Sequence, residues 1–266
     1  MLELYNFSQS TCSLKVRLCL EEKSLDWIDR RLVSKNHDHL SDWYLKLNPN
    51  GVVPTLIHDG RAVFESSVIL QYLDQVFPAV PLAPPDAYGL ARMRAWLAFV
   101  DAVPTPAVRY PSFQFGGLLH KFQAMTDEQF EEQVSRRPVK AAFYKKMDRS
   151  RGFSQDELDA AYQALRNTAA RMDWMFSENG GPWLLGAGYS LADIAIAPLL
   201  DRVEDLGLEW LWEKNYPRVA DWLARIQARP AYRKAYYHGS RLSDQYPELA
   251  LGRGSHRHVL ESGVPA

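Results

Sequence analysis

The sequence predicts a two-part chain: an α/β domain of βαβαββα order over residues 1–80, then an all-helical domain over residues 88–240. Three observations carry this. Short apolar runs alternate with helical patterns through the first 80 residues. A proline-rich stretch, with Pro78, Pro81, Pro84 and Pro85, follows them and reads as a linker over residues 81–87. Beyond it the apolar residues recur at helical spacing, with almost no strand signal.

In chain order, "LELYNF" reads as a strand. "CSLKVRLCLEEKS" carries Leu14, Leu18 and the pair Val16/Leu20 at helical spacing. "WIDRRLV" reads as a second strand, and "DHLSDWYLKLNP" as a short helix stopped by Pro49. "VPTLIHDGRAVFES" reads as a hairpin turning at Asp59-Gly60, and "SSVILQYLDQVF" closes the unit as a helix. The first two strands need a helical crossover and the last two pair antiparallel. The second domain predicts helices at "LARMRAWLAFVDAV", "TDEQFEEQVSRR", "SQDELDAAYQALRNTAARMDWMFSEN", "SLADIAIAPLLDRVEDLG" and "YPRVADWLARIQARP". Residues 241–266 read as an irregular tail.

Composition narrows the function classes. Formal net charge is −1 over 266 residues and no long basic run occurs, which argues against a nucleic-acid partner. No apolar run approaches the roughly 20 residues that cross a bilayer, so no membrane role is expected. The N-terminus lacks a basic and apolar leader pattern. Cys12 and Cys19, seven positions apart on one helix, lie about 10 Å apart by helical rise, too far to bridge. A reducing cytoplasm is the expected location. The "HDH" at 37–39 and the "HRH" at 256–258 lack further ligands at suitable spacing, so no metal is expected.

Four features bear on chemistry or folding. Val53-Pro54 opens an apolar strand, and its place in the βαβαββα unit suggests a cis bond; an ordinary trans proline is the alternative. Glu65-Ser66 sits where a hairpin hands over to a helix. Ser66 and the helix start suit a carboxylate and Glu65 suits an ammonium, so the pair fits a free α-amino-acid head; a cap beside a solvated Glu is the alternative. In "SQSTCSLK", Ser8, Ser10, Thr11, Cys12 and Ser13 crowd the junction of the first strand and first helix. Lowering a thiol pKa by two units takes about 2.7 kcal/mol. One hydrogen bond to a charged group contributes about 1.5–3 kcal/mol, and a helix end about 0.3–1 kcal/mol. A plain N-cap cluster is the alternative there. Ser190 and Asp193 resemble a capping box, a folding device with no chemistry assigned.

Together and in this order, these features resemble the glutathione transferase superfamily over about residues 2–235. "STCSLKVRLCL" is similar to the first-helix motif of its zeta, or maleylacetoacetate isomerase, class. "LYNFSQSTCSLK", "LSDWYLKLNPNGVVPTLIHDG" and the long insert from "MTDEQFEEQV" to "GFSQDELD" are similar to the bacterial branch that cleaves β-aryl ethers of lignin. The resemblance implies a thioredoxin-like α/β domain and a helical domain that binds the electrophile. It implies glutathione as co-substrate, held by Glu65 and Ser66 at the γ-glutamyl head, by Val53 beside cis Pro54 at the cysteinyl backbone, and by His39 at the glycyl carboxylate. The thiolate partner stays open among Ser10, Cys12 and Ser13, with Ser13 favoured by the etherase motif and Ser10 by the zeta motif. Tyr110, Phe113 and Phe115, in a stretch broken by prolines and glycines, are expected to line an apolar cleft facing Ser13 and the sulfur. Trp96 and Phe99 read as core. The implied reaction is glutathione-dependent cleavage of a β-aryl ether in an aryl ketone, by a homo- or heteromeric dimer without a metal. The alternatives are a zeta-like isomerase or general detoxifying transferase, and a non-catalytic subunit of the same fold.

Overall fold

The computed structural model describes residues 1–256. The N-terminal unit runs β1 (Leu2–Asn6), α1 (Thr11–Glu22), β2 (Trp27–Arg31), α2 (Asp42–Leu47), β3 (Thr55–His58), β4 (Arg61–Phe64) and α3 (Ser66–Val76). Its sheet has the order β2-β1-β3-β4. β1 runs parallel to β2 with Leu2 opposite Trp27, and antiparallel to β3 with Leu2 opposite His58. The β3–β4 hairpin turns at Asp59 and Gly60, with φ of 48° and 78°. Two successive positive φ values give the turn whose twist matches a right-twisted ribbon. Order, crossover and hairpin are those expected from the sequence.

The second unit is helical: α4 (Ala87–Ala102), α5 (Pro104–Ala107), α6 (Arg109–Phe115), α7 (His120–Gln123), α8 (Asp127–Ser135), α9 (Ala141–Lys145), α10 (Gln155–Asn179), α11 (Leu191–Asp205), α12 (Pro217–Ala228), α13 (Pro230–Ala235) and α14 (Leu242–Gln245). α8, α10 and α11 each begin with a capping box, at Thr126/Gln129, Ser154/Glu157 and Ser190/Asp193. Asp193 is fully buried and accepts from the backbone N–H of Leu184 at 3.1 Å and from Trp222 Nε1 at 2.9 Å. Burial raises its carboxyl to about 6 against these bonds. Trp96 is core, as expected, and donates Nε1–H to the Ala192 carbonyl at 3.0 Å.

One finding goes beyond the sequence reading and one differs from it. Leu14 and Leu18 stand opposite Val16 and Leu20 on α1, and the polar residues between them are buried too, every residue from Ser13 to Leu20. α3 packs against this helix within the first domain, and α11 and α13 of the helical domain pack against it as well. The polar ends therefore pair inside. Lys15 Nζ lies 3.4 Å from Asp101 and 3.3 Å from the Thr105 hydroxyl. Arg17 donates to the Ser8 carbonyl at 2.7 Å. The described part of the tail is also docked rather than loose. Leu242 is buried, its N–H donates to Asp205, and Arg241 pairs with Asp201 and Glu204. Of the "HRH" run, Arg257 and His258 lie outside the described residues.

Candidate active site between the two domains

One cleft gathers the N-terminus of α1, the segment before β3, and the irregular helices from α5 to α9. The loop before α1 is tied down from both domains. Arg17 donates to the Ser8 carbonyl, and Arg202 of α11 donates to the Gln9 carbonyl at 2.6 Å. Ser10 is the N-cap of α1, and its Oγ accepts the Ser13 N–H at 3.2 Å. That bond uses a lone pair and leaves the hydroxyl proton of Ser10 free to donate into the cleft. Cys12 lines the cleft beside it. Ser13 does not. It is fully buried, its Oγ has no hydrogen-bond partner, and it is absent from the lining. The expectation that Ser13 faces the cleft is thereby corrected. Three positions past the cap, it lies within the first turn of α1 with its side chain buried.

Val53 lines the cleft and the Val53–Pro54 bond is cis, as expected. Among the described residues the backbone N–H and C=O of Val53 form no hydrogen bond, while the neighbouring Val52 carbonyl accepts from both Tyr44 and Asn48. A peptide backbone laid along this edge would find one donor and one acceptor unpaired.

Glu65 and Ser66 depart from the expected capping. Glu65, not Ser66, holds the N-cap position of α3, and it makes no side-chain cap. The first N–H groups of α3 thus keep their donors for something else. Glu65 has φ 67° and ψ 113°, a left-handed backbone that a Cβ disfavours. Such strain persists where surrounding structure enforces it, and it clusters at binding sites. Neither residue belongs to the cleft lining, but Asn50 does, and its Nδ2 donates to Glu65 at 2.9 Å.

His39 also lines the cleft, half enclosed by Phe7, whose ring lies edge-on at 5.1 Å. Arg137 donates to its Nε2 at 3.1 Å, so the ring proton belongs on Nδ1. Burial and the adjacent Arg137 push the His39 pKa down to about 3, so the ring is neutral. His39 Nδ1 and Arg137 Nε are both buried without hydrogen-bond partners among the described residues. A bound carboxylate would supply the missing acceptors.

The opposite wall is only partly the expected one. Phe113 lines the cleft, with Phe143 at 5.3 Å and Tyr144 at 5.7 Å between ring centroids. Tyr110 does not: it packs behind, at 4.7 Å from Phe153, and opens on a separate groove with Ala160 and Ala164. Phe115 packs at 4.3 Å on His256. Both are corrections to the sequence reading. α6 is helical from Arg109 to Phe115, so Phe115, two residues past Phe113, points to another side. Tyr110, one turn before Phe113, shares its contact with Phe143 but packs on Phe153, and Phe113 alone of the three lines the cleft.

Sequence reasoning missed the basic residues of this wall. Arg109, Lys121, Arg137 and Lys140 all line the cleft, and no Asp or Glu is among the lining residues. Arg137, Lys140, Phe143 and Tyr144 come from the insert. The insert reaches the first domain where Arg136 donates to the Leu40 carbonyl and Pro138 approaches Gly51. Gly51 has φ 59°, and a Cβ there would stand 3.1 Å from Pro138 Cδ. "RRPVK" carried no periodic signal that would place it in a site. Among the described residues no group of three or more His, Cys, Asp or Glu side chains is arranged to hold a metal ion. No described helix is long and apolar enough to cross a membrane.

Residues 9–76 match the family model "Glutathione S-transferase, N-terminal domain", and residues 154–225 match "Glutathione S-transferase, C-terminal domain". The chain is 35% identical over 241 residues to Protein LigF of Sphingobium sp., an alignment covering 88% of this chain and 93% of that one. It is 26% identical to a probable maleylacetoacetate isomerase of Caenorhabditis elegans, covering 85% and 89%. The crystal structure of beta-etherase LigF from Sphingobium sp. superposes with a TM-score of 0.79 at 33% identity, covering 88% of this chain and 98% of that one. Two domain models in order, a full-length relative and a matching fold agree with the site geometry: this chain belongs to the glutathione S-transferase family.

Proposed function

We propose that this protein cleaves β-aryl ethers of lignin-derived aryl ketones with glutathione, as a dimeric cytoplasmic enzyme. The observation that carries the reading is the meeting, in one cleft, of a wall with unpaired peptide groups and a wall of aromatic rings. The similarity to a beta-etherase supports it.

In this reading the uncapped start of α3 and Glu65 take the γ-glutamyl head. Val53 pairs with the cysteinyl backbone. Lys121, Arg137 and the neutral His39 take the glycyl carboxylate. The sulfur then lies at the start of α1, where the Ser10 hydroxyl, Cys12 and the helix end favour the thiolate. The thiolate attacks the carbon that bears the aryloxy group, next to the ketone. A carbon–sulfur bond forms as the carbon–oxygen bond breaks, and the phenolate leaves with the electron pair and takes a proton from water. Phe113, Phe143 and Tyr144 pack the aryl rings, so that orientation contributes most of the acceleration.

The test is turnover of both enantiomers of a fluorogenic β-aryl-ether ketone with glutathione. We expect one phenol released per thioether formed, from one enantiomer in preference, because in-line displacement distinguishes them. Glutathione binding without phenol release from either enantiomer would sink the reading. Turnover of a maleyl substrate or a chloronitrobenzene alone would then favour the isomerase or general transferase. Inertness toward all of these would favour the silent subunit.

A further inference from the structure

Among the described residues most buried or half-buried cations pair with a carboxylate: Lys15 with Asp101, Lys23 with Asp74, Arg202 with Asp205, Arg229 with Glu22 and Arg241 with Asp201. Arg17 has no such pair and is held by the Ser8 carbonyl, the Ser240 hydroxyl and the Tyr237 ring. The cleft differs in gathering several unpaired cations in one place. Among the described residues, Arg109, Lys121, Arg137 and Lys140 have no carboxylate within ion-pair distance. Glu65 acts on Lys140 only at longer range, and is bonded to Asn50. Four like charges gathered without counterions cost stability unless a ligand supplies the anions.

Glutathione does not supply enough of them. Its γ-glutamyl head is taken outside this cluster, at Glu65 and α3. The glycyl carboxylate answers Lys121 and Arg137, which converge on His39. The thiolate is met by Ser10 and the end of α1, and its charge disappears when the thioether forms. Arg109 and Lys140 keep no carboxylate at ion-pair distance among the described residues, and Arg109 outweighs the more distant Glu65 at Lys140. Lys140 makes no side-chain hydrogen bond or ion pair among the described residues. Arg109 stands four residues before Phe113 on α6, so the two share a face.

We propose that the aromatic co-substrate carries a negative charge of its own, held between Arg109 and Lys140 while its ring packs on Phe113. This rests on the glutathione reading and adds to it the chemical class of the second substrate: an aryl ether that carries an acid group rather than an uncharged one. Burial and the facing Arg109 bring the Lys140 ammonium down to about 8, and burial with Arg137 and Lys140 does the same for Lys121. That is the electrostatic signature of a cluster in want of an anion.

The test is a matched pair, 4-phenoxybenzoate and the uncharged 4-phenoxybenzamide, titrated by calorimetry at pH 7 into protein saturated with S-methylglutathione. This thioether fills the tripeptide site without a sulfur charge. The acid should bind at least about tenfold tighter than the amide, the size of one charge-assisted contact. The ratio should fall toward one in 0.5 M salt, and in the R109Q/K140Q double variant. The ratio is internal to each protein, so a merely structural loss, which weakens both ligands together, would leave it unchanged. Equal affinities in the wild-type protein, or a preference that survives in the double variant, would overturn the inference with the glutathione reading intact. Failure of S-methylglutathione to bind would instead overturn that reading, and the inference with it.

Discussion

The wall of the cleft raised by the first domain and the wall raised by the helical domain work in different ways. The first presents mainly backbone: the end of α1 and the unpaired groups of Val53, with the uncapped start of α3 and a strained Glu65 beside the cleft, reached through Asn50. The second presents mainly side chains, aromatic and cationic, from short helices and the turns between them. In the proposed reading the backbone wall recognises the tripeptide, which is the same in every turnover. A side-chain wall can be changed residue by residue without disturbing the sheet. The division predicts that tripeptide affinity and electrophile selectivity respond to separate sets of substitutions.

The largest effect that would break this comparison lies on the backbone wall. Glu65→Ala and Ser66→Ala should each weaken glutathione binding by about 1.5–3 kcal/mol, read by calorimetry, with little change in melting temperature. Glu65→Gly sharpens the point. Glycine accepts the left-handed backbone without penalty, so this variant should be at least as stable as the parent and still lose affinity. Unchanged affinity in a folded double variant would remove the assignment.

The next effect is on stability. His39 is held neutral in the fold, with a pKa near 3 against about 6.5 when unfolded. Between these values the unfolded chain binds the extra proton, so folding stability falls as pH drops from about 6.5 toward 3. The slope attributable to this group approaches about 1.4 kcal/mol per pH unit below 6. His39→Gln should flatten that limb in denaturant titrations between pH 6.5 and 4. An unaltered slope would mean the ring is not held neutral.

A smaller effect separates the residues at the start of α1. Ser10→Ala should lower kcat/KM about tenfold, since it removes a donor to the thiolate, and Cys12→Ala less. Ser13→Ala should change it by no more than about twofold, because its hydroxyl is buried away from the cleft. A rank order led by Ser13 would contradict the placement of that side chain. The smallest effect is on the aromatic wall. Phe113→Leu should raise the aryl-ether KM about fivefold, the scale of one aromatic contact, and leave glutathione affinity alone. Tyr110→Leu and Phe115→Leu, behind that wall, should leave KM near the parent value.

The sequence by itself determined the strand and helix order of the first domain, the hairpin at Asp59-Gly60 and the Ser190/Asp193 box. Each depends on residues close in the chain, through alternation, turn chemistry or capping. Thr126/Gln129 and Ser154/Glu157 carry the same local signal and were equally open to reading. Tertiary structure alone decided what depends on distant partners. It buried Lys15, Arg17 and Ser13 in α1 by covering a second face of that helix. It turned Tyr110 and Phe115 away from the cleft and Phe113 into it, a matter of helix phase in a proline-broken stretch whose start no local rule sets. It also drew Arg109, Lys121, Arg137 and Lys140 together from three separate segments of chain. Charge carries no periodicity that reveals convergence in space, so a cluster assembled by packing is visible only once the insert has folded back over the cleft.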